Sequence, residues 1–194
     1  MSRIKKVSVY SGKGGTGKST LSINLARYYA KKGLSVCVVD CDEQQTVMDC
    51  FRDNLLGFDV FNEMPKTGYD IAILDHHPTH SNIALGEIVV CPIRPSKIDF
   101  MSYRRSRAVI GQTPHILVIN QIRNVPDDQY FHTDMVKLCK ANDIQCKDIE
   151  MRIVYKKAFN LSKTVYEMGN DHGASKARNE INFLGGMIDE KIKL

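Results

Sequence analysis

A glycine-rich segment near the beginning of the chain carries the residue types that bind phosphate groups. It satisfies the pattern G-x-x-x-x-G-K-[ST] and reads Gly12-Lys13-Gly14-Gly15-Thr16-Gly17-Lys18-Ser19-Thr20. Glycines let backbone N–H groups converge on a phosphate, and the N-terminus of a following helix adds a partial positive charge. In such a loop the Lys18 ammonium bridges the β- and γ-phosphates, and the Ser19 hydroxyl ligates Mg²⁺. The segment therefore predicts a nucleotide-binding loop.

Two aspartates stand at the ends of apolar segments that predict strands. Asp40 follows Val36-Cys37-Val38-Val39, and Asp75 follows Ile71-Ala72-Ile73-Leu74. An aspartate at the end of a strand often only begins a turn. Ligands of a parallel sheet, however, bind at the carboxyl ends of its strands. Together with the glycine-rich loop, the two carboxylates therefore favour a functional role beside the phosphates.

Three histidines, His76, His77 and His80, follow Asp75 within five positions. Imidazole is a common metal ligand. No carboxylate or cysteine completes a ligand set in the segment that follows, and a loop beside a nucleotide tolerates polar residues. The pattern therefore favours polar loop residues over a metal site.

Short β-branched segments alternate with helical patterns along the chain. Strands are predicted at 4–10, 35–40, 69–75, 87–91, 115–120 and 144–149, with a short extended piece at 58–61. Helices are predicted at 17–32, 44–54, 97–110, 128–142 and 174–192. This alternation predicts right-handed βαβ units in a doubly wound, mostly parallel α/β sheet with helices on both faces.

Composition narrows the class of protein further. The chain has 194 residues, of which 43% are hydrophobic and 25% charged, as in an ordinary globular protein. No linker or repeat divides it, so we expect a single domain over residues 1–194. No apolar run is long enough for a membrane span, and the six cysteines contain no C-x-x-C pair. We therefore expect a cytoplasmic protein without a disulfide framework or a zinc ribbon.

The second lysine of the loop carries a resemblance to a known family. Lys13 gives the loop the form K-G-G-x-G-K-[ST], which resembles the deviant Walker A motif of the ParA/MinD family of P-loop ATPases. The resemblance implies that Lys13 reaches the phosphates of a second copy across a nucleotide sandwich dimer. It also implies ATP and Mg²⁺ as cofactors, with Lys13, Lys18 and Asp40 in catalytic roles.

Further segments extend this resemblance over most of the chain. Asp40-Cys41-Asp42-Glu43-Gln44 resembles the family's D-x-D-P-Q segment, which implies that Asp40 orients the attacking water. Ser19 and Asp75 then correspond to the Mg²⁺ site, with Asp75 acting through water. Pro92-Ile93-Arg94-Pro95-Ser96-Lys97-Ile98-Asp99 resembles P-x-x-P-S-x-x-D. Asn120 ends a strand as in the family's V-x-N, which implies that it faces adenine, and the absence of N-K-x-D favours ATP over GTP.

The basic residues of the C-terminal part suggest a partner. In ParA-type proteins this region of the ATP-bound dimer binds DNA nonspecifically, and the resemblance assigns that role to Arg152, Lys156, Lys157, Lys163 and Arg178. A second cluster, Arg104-Arg105-Ser106-Arg107, has no assigned role. From the residues alone, a solvated face and a DNA-binding surface are equally good interpretations. The resemblance to the family favours the DNA-binding surface.

The resulting expectation is a small ParA-like partition ATPase, cytoplasmic and nucleoid-associated. It would hydrolyse ATP slowly, form an ATP-dependent homodimer and respond to a ParB-like adaptor protein. The alternative is a MinD-like ATPase that positions a membrane or protein cargo. We expect no stable membrane anchor, because the apolar residues of the C-terminal tail predict a helix that packs on the core. A carboxylate-activating ligase of the same fold would need neither Lys13 nor a dimer, and an iron–sulfur carrier lacks suitably placed cysteines.

Overall fold

The computed structural model describes residues 3–79 and 83–193, which form alternating strands and helices. The strands are β1 (Lys5–Val9), β2 (Val36–Cys41), β3 (Asp59–Phe61), β4 (Ile71–His76), β5 (Ile88–Ile93), β6 (His115–Ile122) and β7 (Gln145–Glu150). The helices are α1 (Lys18–Lys31), α2 (Thr46–Phe51), α3 (Lys97–Ile110), α4 (Pro126–Ala141), α5 (Ile153–Asn160) and α6 (Ala174–Ile192).

All seven strands belong to one parallel sheet in the order β3-β2-β4-β1-β5-β6-β7. The expectation of a doubly wound, mostly parallel α/β fold is therefore confirmed. The order places β1 at the centre, with β4 and β2 on one side and β5 and β6 on the other. Asp40 of β2 and Asp75 of β4 are partners in register, so both carboxylates lie at the same edge of the sheet.

The sheet is covered by helices on both faces. Apolar residues of α1, α2, α5 and α6 form one core cluster with β1, β2 and β4. Residues of α3 and α4 pack with β5 and β6 on the opposite face. Every residue of β4 and β5 is buried, as expected of central parallel strands that are covered on both sides.

Three helices differ from the sequence predictions. α2 is shorter than predicted, because its first turn begins only where backbone N–H groups reach the Asp40 carboxylate. α4 begins earlier, at Pro126, since proline suits the first position of a helix. α5 was not predicted at all, because its opening residues Ile153, Val154 and Tyr155 have strand propensity.

The C-terminal helix α6 follows its predicted bounds and packs on the core. Ile181, Leu184, Ile188 and Ile192 recur at helical spacing and are buried against the sheet. None of the helices in the described part of the chain has the length and apolar character needed to span a membrane.

Candidate functional site

The glycine-rich loop connects β1, the central strand, to the N-terminus of α1. Gly15 and Gly17 have φ angles of +72° and +95°, a region that side-chain-bearing residues rarely adopt. A Cβ atom at Gly17 would also collide with the Asn120 side chain. The two glycines are therefore required by the path of the backbone, which curls over the start of α1 as a phosphate-binding loop does.

The Lys18 side chain lies inside the loop. Its Nζ donates to the backbone carbonyl of Lys13 at 3.2 Å, and the Thr16 hydroxyl donates to the same oxygen at 3.5 Å. Lys18 is only 7% exposed, and burial lowers the pKa of its ammonium group. A nucleotide phosphate could replace the carbonyl as its partner and would favour its charged form.

Lys13 occupies a different position, at the rim of the loop. Its Nζ lies 2.5 Å from Asp99 Oδ2, and its side chain remains 28% exposed. Asp99 also accepts hydrogen bonds from the Ser96 hydroxyl at 2.6 Å and from Arg94 Nε at 3.2 Å. Burial would raise the pKa of the Asp99 carboxyl, but these partners, Lys13 first, lower it to about 2. The carboxylate therefore holds two cations beside the loop.

Asp75 lies below the loop and is 2% exposed. It accepts a hydrogen bond from the Ser22 hydroxyl at 2.9 Å, and the Ser19 hydroxyl lies close enough to affect its pKa. Burial raises the pKa of the Asp75 carboxyl to about 7, although both hydroxyl groups counteract that rise. A carboxylate and a hydroxyl are the hard oxygen donors that Mg²⁺ prefers. The donor set of Ser19 and Asp75 therefore fits a magnesium ion.

Asp40 is committed to backbone N–H groups in this conformation. Its Oδ2 accepts from Val47 and Met48, both at 2.9 Å, and its Oδ1 accepts from Asp42 at 3.1 Å. These bonds satisfy orphan donors at the start of α2. Asp40 thus fixes the loop after β2, and its assignment to the attacking water stays a prediction.

Two of the three histidines have protein partners. His76 Nε2 lies 2.8 Å from the Ser8 hydroxyl, and burial lowers the pKa of the His76 imidazole to about 4. His77 Nδ1 lies 3.1 Å from Asp42 Oδ1, which joins the loops after β4 and β2. His80 falls outside the described residues. Within 3–79 and 83–193, His, Cys, Asp and Glu residues form no cluster of three that could hold a metal ion.

Asn120 fastens the far end of the loop and lines a cavity. Its Nδ2 donates to the Thr16 carbonyl at 2.7 Å. Beside it, a cavity of about 340 Å³ opens between the loop, the ends of β6 and β7, and α5. Its lining includes Gln121, Tyr155 and Phe159. A cavity of this size next to a phosphate site can hold a nucleoside, so the predicted contact of Asn120 with adenine fits its location.

Two of the predicted DNA-binding residues are tied to the protein itself. Arg152 Nη2 lies 2.8 Å from Glu180 and 3.0 Å from Glu150, and its side chain is 13% exposed. The Arg178 guanidinium donates to two backbone carbonyl groups at 3.1 and 3.3 Å. Arg152 therefore pairs with the partly buried Glu180 and the exposed Glu150 at the junction of β7, α5 and α6, which leaves little of its guanidinium for an external phosphate.

The three lysines of the predicted DNA-binding group lie on or beside α5 and are exposed. Lys157 forms an ion pair with Asp171 at 2.9 Å. Lys156 and Lys163 form no ion pair with any residue of the described ranges. These two ammonium groups are the members of the group that the geometry leaves available.

Sequence reasoning missed the residues that attach α3 to the loop. The Ser106 hydroxyl accepts the Gly12 N–H at 3.0 Å, and the Arg94 guanidinium lies against Gly15. A signal for part of this existed: Ser96 and Asp99 have the S-x-x-D spacing of a capping box, and Asp99 N–H indeed donates to Ser96 Oγ at 3.1 Å. The contact of Asp99 with Lys13, 86 positions away, has no such local signal.

The assembled site defines a class of protein. A glycine-rich loop with a buried lysine, a serine–aspartate pair suited to Mg²⁺ and a nucleoside-sized cavity together form a P-loop nucleotide-binding site. Comparison with known proteins specifies the family. Residues 7–165 match the CobQ/CobB/MinD/ParA nucleotide binding domain, and the chain belongs to this family of ATPases.

Individual relatives have different roles. The chain is 32% identical over 130 residues to the maintenance of carboxysome distribution protein A of Gloeobacter kilaueensis, a match that covers 58% of the chain and just over half (56%) of that protein. A plasmid partition protein of Borrelia burgdorferi bound to AMPPNP superimposes with a TM-score of 0.72 at 16% identity, covering 94% of this chain and 99% of that one. The septum site-determining protein MinD of Pyrococcus horikoshii with Mg-ADP gives 0.67 at 15% identity, covering 99% and 100%.

Proposed function

We propose that this protein is a ParA-like ATPase that partitions DNA by switching between ATP-bound and released states. The observation that carries the proposal is the contrast between the two lysines of the loop. Lys18 is enclosed by the loop, whereas the Lys13 ammonium stands at its rim on Asp99. A cation at the rim can reach a nucleotide held by a second copy, which a cation inside the loop cannot do.

In the proposed cycle, ATP joins two copies into a sandwich dimer. Each Lys13 leaves Asp99 and donates to the phosphates of the other copy, where it stabilises the charge that develops during transfer. Because ADP lacks the γ-phosphate, it offers fewer oxygens to this cation. Association is thereby linked to the nucleotide state.

Hydrolysis in this proposal uses residues around the loop. Lys18 bridges the β- and γ-phosphates, and the loop N–H groups hold the β-phosphate. Asp40 orients the attacking water, which requires that its hydrogen bonds to the start of α2 rearrange when the triphosphate binds. Ser19 and Asp75 would hold Mg²⁺, which supplies positive charge to the phosphate oxygens when bound. Before that rearrangement Asp40 is hydrogen-bonded to the start of α2. A site of this kind fits slow turnover that a ParB-like adaptor protein stimulates.

The dimer is proposed to bind nucleoid DNA nonspecifically through its C-terminal part. Lys156 and Lys163 are the best candidates for phosphate contacts, because they are exposed and unpaired in the described structure, and Lys157 becomes a third when it exchanges Asp171 for a phosphate. Such contacts release counterions, so binding should weaken steeply with salt. Arg152 and Arg178 would stabilise the fold of this surface through their contacts with the protein, without binding DNA phosphates themselves.

A protein or membrane cargo is the second candidate, as in a MinD-like positioning system. The 32% identity to a carboxysome distribution protein favours a protein cargo. In that case the ATP-dependent dimer would remain, and only the object carried would differ.

The proposal is tested by measuring molar mass and DNA binding with ATP, with ADP and for Lys13→Ala. We expect a dimer that binds DNA only for the wild-type protein with ATP. Lys157→Ala and Lys163→Ala should keep the dimer and weaken DNA binding, because neither residue lines the cavity beside Asn120, as Lys156 does. Equal DNA binding in ATP, in ADP and for Lys13→Ala would refute the DNA role, and ATP-dependent flotation with liposomes would instead favour a membrane cargo.

A further inference from the structure

Helix α3 exposes a row of side chains on the side that faces away from the core. The row, called here the arginine stripe, consists of four exposed residues at the spacing i, i+3, i+4 and i+7: Met101, Arg104, Arg105 and Ala108. The opposite side of α3, with Tyr103 and Ile110, is buried against the sheet. The stripe is therefore one continuous surface, about 10 Å long along the helix axis.

The arginine stripe carries positive charge that the described structure does not neutralise. Arg104 and Arg105 form no ion pair with any residue of 3–79 and 83–193. Between positions 88 and 126 the sequence contains one acidic residue, Asp99. Asp99 is 1% exposed and already holds Lys13 and Arg94, so it is not available to the stripe. The two guanidinium groups are therefore unpaired cations in the described part of the chain.

The arginine stripe is separated from the proposed DNA-binding surface by the sheet. α3 packs with β5 and β6 on one face, whereas α5, which carries Lys156 and Lys157, belongs to the core cluster of the other face. The stripe also points away from the phosphate loop, because Ser106, which accepts the Gly12 N–H at 3.0 Å, lies on the buried side of α3. An object on the stripe can therefore bind without displacing DNA or nucleotide.

We propose that the arginine stripe is the docking surface for an acidic amphipathic helix of another protein. Met101 and Ala108 would contact aliphatic side chains of that helix, and Arg104 and Arg105 would pair with its carboxylates. The i, i+3, i+4, i+7 spacing is the one at which a helix packs along a second helix. Guanidinium groups bind carboxylates through two parallel hydrogen bonds. The inference goes beyond the proposed function, since it names a partner that uses neither the nucleotide site nor the DNA-binding surface.

The composition of the arginine stripe favours a protein partner over a nucleic acid. Apolar residues stand at both ends of the stripe, and Met101 is 48% exposed. Methionine and arginine are both enriched in protein–protein interfaces. A surface for DNA is more strongly and more uniformly positive, and a phosphate backbone would leave the Met101 side chain without an apolar partner.

The test is selection from a displayed library of random peptides of about 20 residues, long enough for a helix of ~30 Å. Peptides selected on the full-length wild-type protein are synthesised, and their dissociation constants are measured by fluorescence anisotropy. We expect peptides rich in Glu and Asp, with aliphatic residues at helical spacing. Met101→Asp and the double variant Arg104→Glu/Arg105→Glu should each weaken their binding by about tenfold or more, as expected for central interface residues.

Lys137→Glu/Lys140→Glu on α4 is the matched control. Both lysines are exposed and form no ion pair among the described residues, and the double variant changes the net charge by the same amount as the arginine variant. It should change the dissociation constants of the peptides by less than about twofold, since charges outside the interface contribute little to affinity. The thermal midpoints of all variants should match that of the wild type.

A charge exchange tests the pairing directly. Replacing the glutamates of a selected peptide by lysines should abolish its binding to the wild type and restore binding to Arg104→Glu/Arg105→Glu. Selected peptides without an acidic excess, or peptides that bind this double variant as tightly as the wild type, would overturn the proposal. A DNA duplex of about 20 bp that loses as much affinity as the peptides do would also overturn it, because the stripe would then be a nucleic-acid surface. Absence of ATP-dependent DNA binding would contradict only the proposed function.

Discussion

Asp99 is the residue on which the charges around the loop converge. It is 1% exposed and bonds to Lys13, Arg94 and Ser96. A buried carboxylate that loses its only cation is strongly destabilising. With two cations present, Lys13 can leave while Arg94 still neutralises Asp99. In the proposed cycle, the departure of Lys13 would therefore leave the buried carboxylate paired with Arg94.

We predict that Asp99→Asn lowers the free energy of unfolding by about 2 kcal/mol at pH 7. The pKa of Asp99 falls from 3.8 to about 2 on folding. A carboxyl with a depressed pKa stabilises the fold above its unfolded value, and that stabilisation disappears as the pH falls from about 4 to about 2. Urea unfolding at several pH values measures the effect.

Asp134→Asn is the control for this prediction, because Asp134 is exposed on α4 and forms no ion pair among the described residues. It should shift stability by less than about 0.5 kcal/mol. An Asp99→Asn protein as stable as the wild type at pH 7 would contradict the role assigned to the carboxylate.

At the scale of residues, local chemistry was predictable and distant pairing was not. The loop pattern identified Gly17, Lys18 and Ser19, because the phosphate site is built from consecutive residues. The partner of Lys13 comes from a helix that follows a different strand. No spacing rule connects residues that only the strand order brings together.

At the scale of elements, α1 and α6 approach closely at one glycine. A Cβ atom at Gly185 would collide with the ring of Tyr28, whereas one at Gly186 would meet nothing within 4 Å. Tyr28 is held in place by a 2.9 Å hydrogen bond to Asp189. The ring therefore has little freedom to move away.

We predict opposite effects for alanine at these two neighbouring positions of α6. Gly185→Ala should destabilise the protein by about 1–3 kcal/mol through overpacking against Tyr28. Gly186→Ala should stabilise it by about 0.5–1 kcal/mol, since alanine costs less conformational entropy in a helix. Thermal unfolding of the two variants checks this prediction. Equal changes in stability would show that α1 and α6 can move apart at Gly185 without a loss of free energy.

Elements were predictable where hydrophobic periodicity was long. The central strands and α6 follow the pattern, because burial on both faces, or along one stripe, leaves a clear signature. α5 is eight residues long and begins at Ile153. Its helical form depends on packing against α1 and α6 rather than on its own propensity, which a local pattern does not contain.

At the scale of the whole molecule, nucleotide binding should raise stability by mass action. With ATP and Mg²⁺ at about 100 times the dissociation constant, the gain is about 2.7 kcal/mol, or a midpoint shift of about 5–10 °C for a chain of this length. Lys18→Ala should abolish the shift because it removes the cation inside the loop. Lys13→Ala should keep most of the shift at protein concentrations below the dimer dissociation constant. Loss of the shift in both variants alike would contradict the separate roles of the two lysines.

The class of fold was predictable for the molecule as a whole, because its strands and helices alternate along the chain. Alternating strands and helices allow few arrangements once every crossover must be right-handed. The positions of neighbouring strands within that order were not predicted, and they decide which loops meet. The contact between His77 and Asp42 follows from the pairing of β4 with β2.

The loop is anchored at both ends by different elements: Ser106 of α3 holds Gly12, and Asn120 of β6 holds the Thr16 carbonyl. A receptor whose backbone is already in place loses little conformational entropy on capturing its ligand. Encounter with the nucleotide should then be governed by diffusion and charge rather than by ordering of the loop. In the proposed cycle, the slow events would then be the movements of side chains and of whole subunits.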